Sequence, residues 1–420
     1  MATRVDTLEP QPGPEPEPQR PAGRKLTPRE WARENLFGST LDTILTVAFG
    51  LVLAWIVYRI GRFVFVDARW EVVERNMTNL MVGSYPRDEL WRLWSALFVL
   101  AAVLGFGAGA IGAQRRREVA EGRARPLAQG GLRRFGPIIL LVVVLLWLGQ
   151  SFEALVLVAA ISAVGALFNV IGRRTPQPLW RYVPLIVLAG VFVAFLVVTA
   201  FGGVGWSQWG GFLLTVFLAV SAILLSFPFG VLLALGRRSS LPVVRWVCVA
   251  YIELFRGVPL IAILFMAFFM IGFVLPEGVE APSLVTRAII GFTLFTSAYV
   301  AEIVRGGLQS VPAGQIEAAQ ALGLSPFKTT FRIVLPQALR AVIPGIVGQF
   351  ISLYKDTSLV FVLGLTELLA VAQNITKQPD FLAQGLYVET LVFASFVYWS
   401  GSYWMSRESQ RLERRLGVGE

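Results

Sequence analysis

The chain has 420 residues, 55% of them hydrophobic and only 15% charged, which is more apolar surface than a soluble core of this length buries; a soluble globular protein is excluded and a membrane protein is indicated. The formal charge of +10 does not argue for a nucleic-acid partner, because Lys and Arg fall in short clusters beside apolar segments, the pattern that orients spans in a bilayer. A single cysteine, Cys248, and the absence of histidine exclude disulfides within the chain, Cys/His metal sites and histidine acid–base chemistry.

In chain order, residues 1–40 open with "EPQPGPEPEPQRPAG" and are expected to form a disordered cytosolic tail, too poor in apolar residues to fold alone. The first apolar run begins near Leu41, too far along for a cleavable signal, and is expected to stay in the mature protein. A span needs roughly 20 mostly apolar residues, and about ten segments qualify. The first are Leu41 to Ile60, Leu90 to Ala113, Arg133 to Gly149, Phe152 to Ile171 and Val183 to Phe201. The later ones are Gly211 to Leu235, Val258 to Val274, Leu284 to Val304, Ala341 to Leu363 and Leu386 to Met405. The expected fold class is therefore an all-α polytopic membrane protein. The polar "GQSFE" between the third and fourth segments is taken as a turn. The basic stretches "RRREVAEGRARPLAQGGLRR", "GRRTPQPLWR", "GRRSSLPVVRW" and "RESQRLERRLG" then share one side, which the positive-inside rule makes cytosolic together with both termini. The opposite side receives the charge-balanced segment 61–89 and the short "LPEGVEAPS".

The connector "EAAQALGLSPFKTTFRIVLPQALR", Glu317 to Arg340, faces the cytosol in this arrangement. Pro312 and Glu317 suit a helix start, Gly323 a left-handed stop, and Ser325 with Pro326 a second start that ends at Leu335-Pro336. Ala318, Ala319 and Ala321 keep the first helix thin, so another protein's groove can approach its backbone. On physical grounds alone, an ordinary interfacial connector is an equal reading.

Three polar constellations lie inside or beside the spans. Lys355 and Asp356, followed by Thr357 and Ser358, interrupt an apolar stretch; such charges must pair or face a wet cavity. They suit either the carboxylate and ammonium of an amino acid on a translocation path or an ion pair locking two helices. Glu253 with Arg256 and Glu302 with Arg305 are i,i+3 pairs near cytosolic span ends, readable as an inner gate, an assembly contact or depth-setting charges. Gly257-Val258-Pro259 implies a kinked entry into the next span.

Glu317-Ala318-Ala319, Gly323, and then Ile333, Leu335 and Pro336 resemble, with the right spacing, the EAA loop of membrane subunits of bacterial ATP-binding cassette importers. "YIELFRGVPL", "SAYVAEIVRGGLQSVPAGQIEAA" and "LYKDTSLV" are similar to polar amino-acid permeases, and "NLFGST" and "SQRLERRLG" resemble more narrowly a permease of the general L-amino-acid uptake system. The resemblance implies an N-terminal membrane extension of about five spans at 41–202, a permease core at 209–406 with its coupling loop at 306–340, and a cytosolic tail at 407–420. It also implies a bacterial inner-membrane location, a second permease subunit, a pair of cytosolic ATPases docked on the loop, and a periplasmic amino-acid-binding protein. The sequence contains no G-x-x-x-x-G-K-[ST] phosphate loop, so no cofactor is expected on this chain, with ATP and Mg held by the partner ATPase. Two other readings are a self-contained secondary transporter or channel built on Lys355 and Asp356, and a membrane-embedded enzyme, for which no carboxylate or metal-ligand cluster stands out.

Overall fold

The computed structural model describes residues 27–122, 140–145, 148–149, 152–200, 203–382 and 384–416. Among them the secondary structure is helical apart from one isolated bridge between Gly211 and Glu367, as the hydrocarbon layer requires, because a helix satisfies its backbone groups internally. Seven helical stretches are long and apolar enough to cross a membrane: Thr40–Asp67, Arg87–Ala120, Phe152–Arg173, Gln177–Thr199, Gly211–Arg237, Leu284–Ser310 and Pro326–Leu363. Pro242–Gly257 and Leu260–Val274 together pass the same test but meet at a bend of 107°. Of the expected span Arg133 to Gly149, residues 140–145 are helical and most of the rest lies outside the described residues. The expected last span is the first part of a 30-residue helix, Tyr387–Leu416, whose Tyr, Trp and Ser content makes it the least apolar of the set.

The chain divides into two compact units at Ala68 and Arg69. In the first, α1 (Pro28–Leu36) and α2 (Thr40–Arg62) are helical where the expected disordered tail reached residue 40. Thr27 and Glu30 form a reciprocal capping box, and Ser39 caps α2, so two consecutive helix starts are fixed by local hydrogen bonds the composition argument overlooked. The Glu30 carboxyl is held below its ordinary range, chiefly by the Thr27 backbone amide and then by its hydroxyl. No residue of α2 is buried.

The second unit begins with a segment of two short helices, α3 (Glu71–Arg75) and α4 (Met77–Val82), and continues through α5 (Leu90–Ala120), α6 (Phe152–Arg173) and α7 (Val183–Thr199). The expected boundary at 202–209 is no break in packing. Tyr85 and Ala96 share one buried cluster with Ala194, Trp209, Leu214, Leu264, Phe292 and Leu353. The remaining core elements are α8 (Gly211–Arg237), α9 (Pro242–Gly257), α10 (Leu260–Val274), α11 (Leu284–Ser310), α12 (Ala313–Ala321), α13 (Pro326–Thr329), α14 (Leu335–Asp356), α15 (Leu368–Ile375) and α16 (Tyr387–Leu416). The bend between α9 and α10 follows from sequence: Val258 is extended, φ −105 and ψ 135, as a residue before proline prefers, and Pro259 has no N–H to continue the ladder.

Helices α5 and α6 meet backbone to backbone. A Cβ at Gly105 would lie 2.3 Å from the Gly165 carbonyl oxygen, at Gly109 2.1 Å from that of Asn169, and at Gly172 2.1 Å from that of Phe106. Small residues four apart allow this approach where lipid provides no hydrophobic drive for association. Replacing Gly109 by Leu therefore forces the pair apart and is expected to destabilise the detergent-solubilised protein by about 1–3 kcal/mol, read as a lower unfolding temperature, whereas Gly112→Leu, at a position with open space, leaves it unchanged.

Candidate coupling and translocation sites

The connector between α11 and α14 folds as its capping residues dictate. Pro312 is the N-cap of α12, and the helix stops at Gly323, φ +70, with Leu324 N donating to Ala319 O at 3.1 Å and Gly323 N to Gln320 O at 2.9 Å. Both hydrogen bonds of a Schellman stop are present, which ties the stop to glycine. Ser325 then caps α13, with Pro326 in the first turn. The expected end at Leu335-Pro336 is not observed. The chain passes through a π-helical turn, Thr330–Val334, directly into α14, and Leu335 N bonds to Thr330 O. This wider turn sits where Pro336 has no amide to offer, so the helix continues through the proline. Ala319, Val334 and Leu335 are buried, while Glu317, Ala318, Gly323 and Pro336 are exposed and Ile333 is half-buried. Leu322, 81% exposed, and Phe327, 69% exposed, with the Phe331 ring tilted against Phe327 at 4.5 Å, form exposed apolar surface on the connector that spacing alone did not reveal.

At the neighbouring helix ends the structure corrects the i,i+3 pairing of Glu253 with Arg256. Glu302 on α11 collects three arginines: Arg305 Nε at 3.0 Å, Arg237 at 3.4 Å and Arg256 at 3.7 Å. Arg237 also donates to Glu253 at 3.0 Å. The physical reason is burial, since the Glu302 side chain is 24% exposed against 57% for Glu253, so the guanidinium groups gain more from the less solvated carboxylate. Arg237, read from sequence only as part of a basic cluster, links the ends of α8, α9 and α11. Of the two expected local pairs, only Glu302 with Arg305 forms.

Lys355 and Asp356 close α14, and a 3-10 segment, Thr357–Leu363, follows. Lys355 is exposed and Asp356 half-buried. Among the described residues neither forms an ion pair within salt-bridge distance. Thr357 is fully buried and its hydroxyl donates to Tyr354 O at 2.7 Å, while Ser358 donates to Lys355 O at 2.8 Å. These hydroxyls hold the helix end beside the two charges.

Sequence reasoning missed Glu367. It is fully buried and caps α15, accepting hydrogen bonds from Leu369 N and Ala370 N at 2.8 Å each and from the Tyr398 hydroxyl on α16 at 2.8 Å. Thr215 of α8 donates to it at 3.5 Å and accepts from Leu368 N at 3.2 Å. The signal was present as an acid immediately before the apolar run "LLAVAQNI", in N-cap position.

With this geometry in place, comparison with known proteins is informative. The family described as "Binding-protein-dependent transport system inner membrane component" matches residues 226–417. The inner membrane amino-acid ABC transporter permease protein YhdY of Escherichia coli is 34% identical over 96% of this chain and 97% of its own length. The glutamate/glutamine/aspartate/asparagine transport system permease protein BztC of Rhodobacter capsulatus is 34% identical over 92% and 93%. The chain belongs to this family of ABC transporter permeases. It is a multi-pass inner-membrane transport subunit. A probable glutamine ABC transporter permease protein, GlnP of Bacillus subtilis, is 42% identical and matches 92% of its own length to only 49% of this permease; a permease of that kind is about half as long, and this chain carries a large additional portion.

The Glu367 arrangement makes a testable claim about the permease. Glu367→Ala removes the acceptor for two buried amides and the Tyr398 hydroxyl and is expected to cost about 2–4 kcal/mol, seen as loss of folded protein in size-exclusion chromatography on heating. Glu367→Gln, which keeps one acceptor oxygen, loses less.

Proposed function

We propose that this permease carries amino acids of the polar or general L-type from the periplasm to the cytoplasm as one subunit of an ATP-binding cassette importer. The names of its full-length relatives, an amino-acid permease and a glutamate/glutamine/aspartate/asparagine permease, support the substrate class. The observation that carries the coupling mechanism is the short exposed helix α12, with Glu317 and Ala318 facing outward, Ala319 buried beneath it, and a Schellman stop fixing its end. A helix held this firmly between two spans suits a groove on a separate ATPase, and the apolar surface of Leu322, Phe327 and Phe331 supplies contact area on the same connector. ATP and Mg belong to that ATPase. A second permease subunit completes the pore, a periplasmic binding protein delivers the substrate, and both termini lie in the cytosol.

In the same reading Lys355 and Asp356, which form no salt bridge among the described residues, lie on the translocation path, where they complement the carboxylate and ammonium of the passing amino acid. The four-residue network of Arg237, Glu253, Arg256 and Glu302, with Arg305, closes the cytosolic ends of α8, α9 and α11 and must rearrange as the inner gate opens.

Two measurements check this. In proteoliposomes holding the permease pair and the ATPase, with binding protein inside the assay, Glu317→Lys and Gly323→Asp are expected to abolish ATP-driven amino-acid uptake and co-purification of the ATPase while the variants still insert. Normal coupled uptake would remove the coupling assignment. Lys355→Ala and Asp356→Ala are expected to lower uptake at least tenfold with the ATPase still attached, and unchanged transport in both would take them off the path.

A further inference from the structure

The segment of residues 70–89 is bound to the core by contacts too close and too numerous for a passive loop. Gly83, φ +58, presses on Gly210 so closely that a Cβ on it would lie 2.4 Å from the Gly210 Cα, and a Cβ on Gly211 would lie 2.4 Å from the Leu80 carbonyl oxygen. Gly210 N donates to Val82 O at 3.2 Å and Gly211 N to Thr366 O at 2.8 Å, so the segment, the start of α8 and the entry to α15 meet at one point. Beyond it runs a chain of amides. Gln378 donates to Asn76 Oδ1 at 3.2 Å, Asn79 donates to the same oxygen at 3.3 Å, and Arg87 donates to Asn79 Oδ1 and to Gly83 O. On its other side Arg69 donates through its backbone to Glu389 at 3.2 Å and through its guanidinium to Gln384 O at 2.9 Å.

Between the segment and α15 lies an open dish of about 260 Å³ lined by Asn79, Gly83, Ser84, Thr366, Asn374 and Gln378 among others. Its polar groups are amides and hydroxyls, and no carboxylate lines it. Two cations stand one hydrogen bond behind its wall: Arg87 through Asn79, and Lys377 through Asn374 at 3.0 Å. Of the carboxylates on or near the segment, Glu89 is engaged with Arg92 and Glu71 with Arg75, while Glu74, Asp88 and Asp380 lie outside the lining of the dish.

We infer that this dish, half of it supplied by the external segment and half by the core, is the landing point for an acidic side chain on the soluble protein that delivers the substrate. The inference rests on the importer reading above and adds to it the place and the chemistry of docking. Amide N–H donors with cations behind them match a carboxylate, and rim charges of this kind govern partner capture more than fold. The position also gives docking a mechanical consequence, because α15 is held at one end by Glu367 and at the other by Gln378, so a partner that binds Asn374 and Ser84 together acts on the element that joins α14 to α16.

The test uses the assembled transporter in nanodiscs, with a photo-crosslinking amino acid at Ser84, at Asn374, or at Glu277 in the 275–283 turn, which does not line the dish, and purified binding protein carrying bound amino acid. Adducts are expected from Ser84 and Asn374 and not from Glu277. Arg87→Glu and, separately, Lys377→Glu, which leaves the Gly83 junction untouched, are each expected to raise the half-saturating concentration of binding protein about tenfold, with the effect shrinking as salt is added. Uptake that requires the binding protein but yields adducts only from Glu277, or normal half-saturation in both variants, overturns the site and leaves the importer reading intact. Uptake that proceeds without any binding protein overturns both.

Discussion

Inside a bilayer no water is available to a free N–H or C=O, and this constraint governs where the chain is able to depart from a helix. Departures from the helix within the spans, and at the connector between α11 and α14 outside them, are closed by hydrogen bonds or by proline. The α9–α10 bend uses Pro259, which has no amide to leave unpaired. The stop at Gly323 is closed by the Leu324 and Gly323 amides, and the π-turn at Thr330–Val334 by Leu335. The break after α14 is closed by Gly364, whose φ of +86 lets its amide reach Phe361 O at 3.1 Å, and then by Glu367 on the amides of α15. The irregular places carry the polar groups that a transporter needs, because they are where backbone and side chain must find new partners.

Seen this way α8 is a strut with both ends tied. Its 27 residues span about 40 Å at the rise of an α-helix. At Gly211 it is bonded to Thr366 and, through Thr215, to Glu367; at Arg237 it enters the carboxylate network of Glu302 and Glu253. The two ends differ in physics. The Glu367 end is fully buried and its partners are neutral donors, so it is costly to open. The Arg237 end is partly solvated, with several arginines sharing two carboxylates, so individual pairs exchange at small cost. A rigid joint at the Glu367 end and a labile one at the Arg237 end is an arrangement in which movement is directed to the Arg237 side.

The sequence made the membrane class, most spans and the capping logic of the connector legible, because those depend on local composition and on single residues such as Gly323, Ser325 and Pro259. What it left hidden depends on long-range pairing. Glu253 and Arg256 are neighbours on a helix, yet each finds its partner on another, Glu253 with Arg237 of α8 and Arg256 with Glu302 of α11. Glu367 stood in an ordinary-looking loop, and only the arrival of Thr215 and Tyr398 from α8 and α16 makes it a buried joint. The helix through Pro336 was missed for a different reason: proline is a reliable stop in an ideal ladder, and a π-turn is a local exception that periodicity does not encode. The helix at Pro28 was obscured by the Pro- and Glu-rich residues before it, which dominate composition without reaching into the capping box.

The route from α12 into the membrane is also set by close packing. A Cβ on Gly307 would lie 2.6 Å from the Ala338 carbonyl oxygen, so α11 and α14 touch backbone to backbone immediately beside the connector, and Val304, Leu308, Val334 and Ala338 share one buried cluster with Leu233 and Ile252. Close-packed contacts of this kind shift as units rather than deform gradually. In the proposed cycle a push on α12 therefore does not dissipate in a soft loop. It is delivered to α14 as a rigid body, and the far end of α14 is where Lys355 and Asp356 stand. The π-turn between α13 and α14 fits the same logic, because it keeps the connector and the span one continuous element across a proline that would otherwise have divided them.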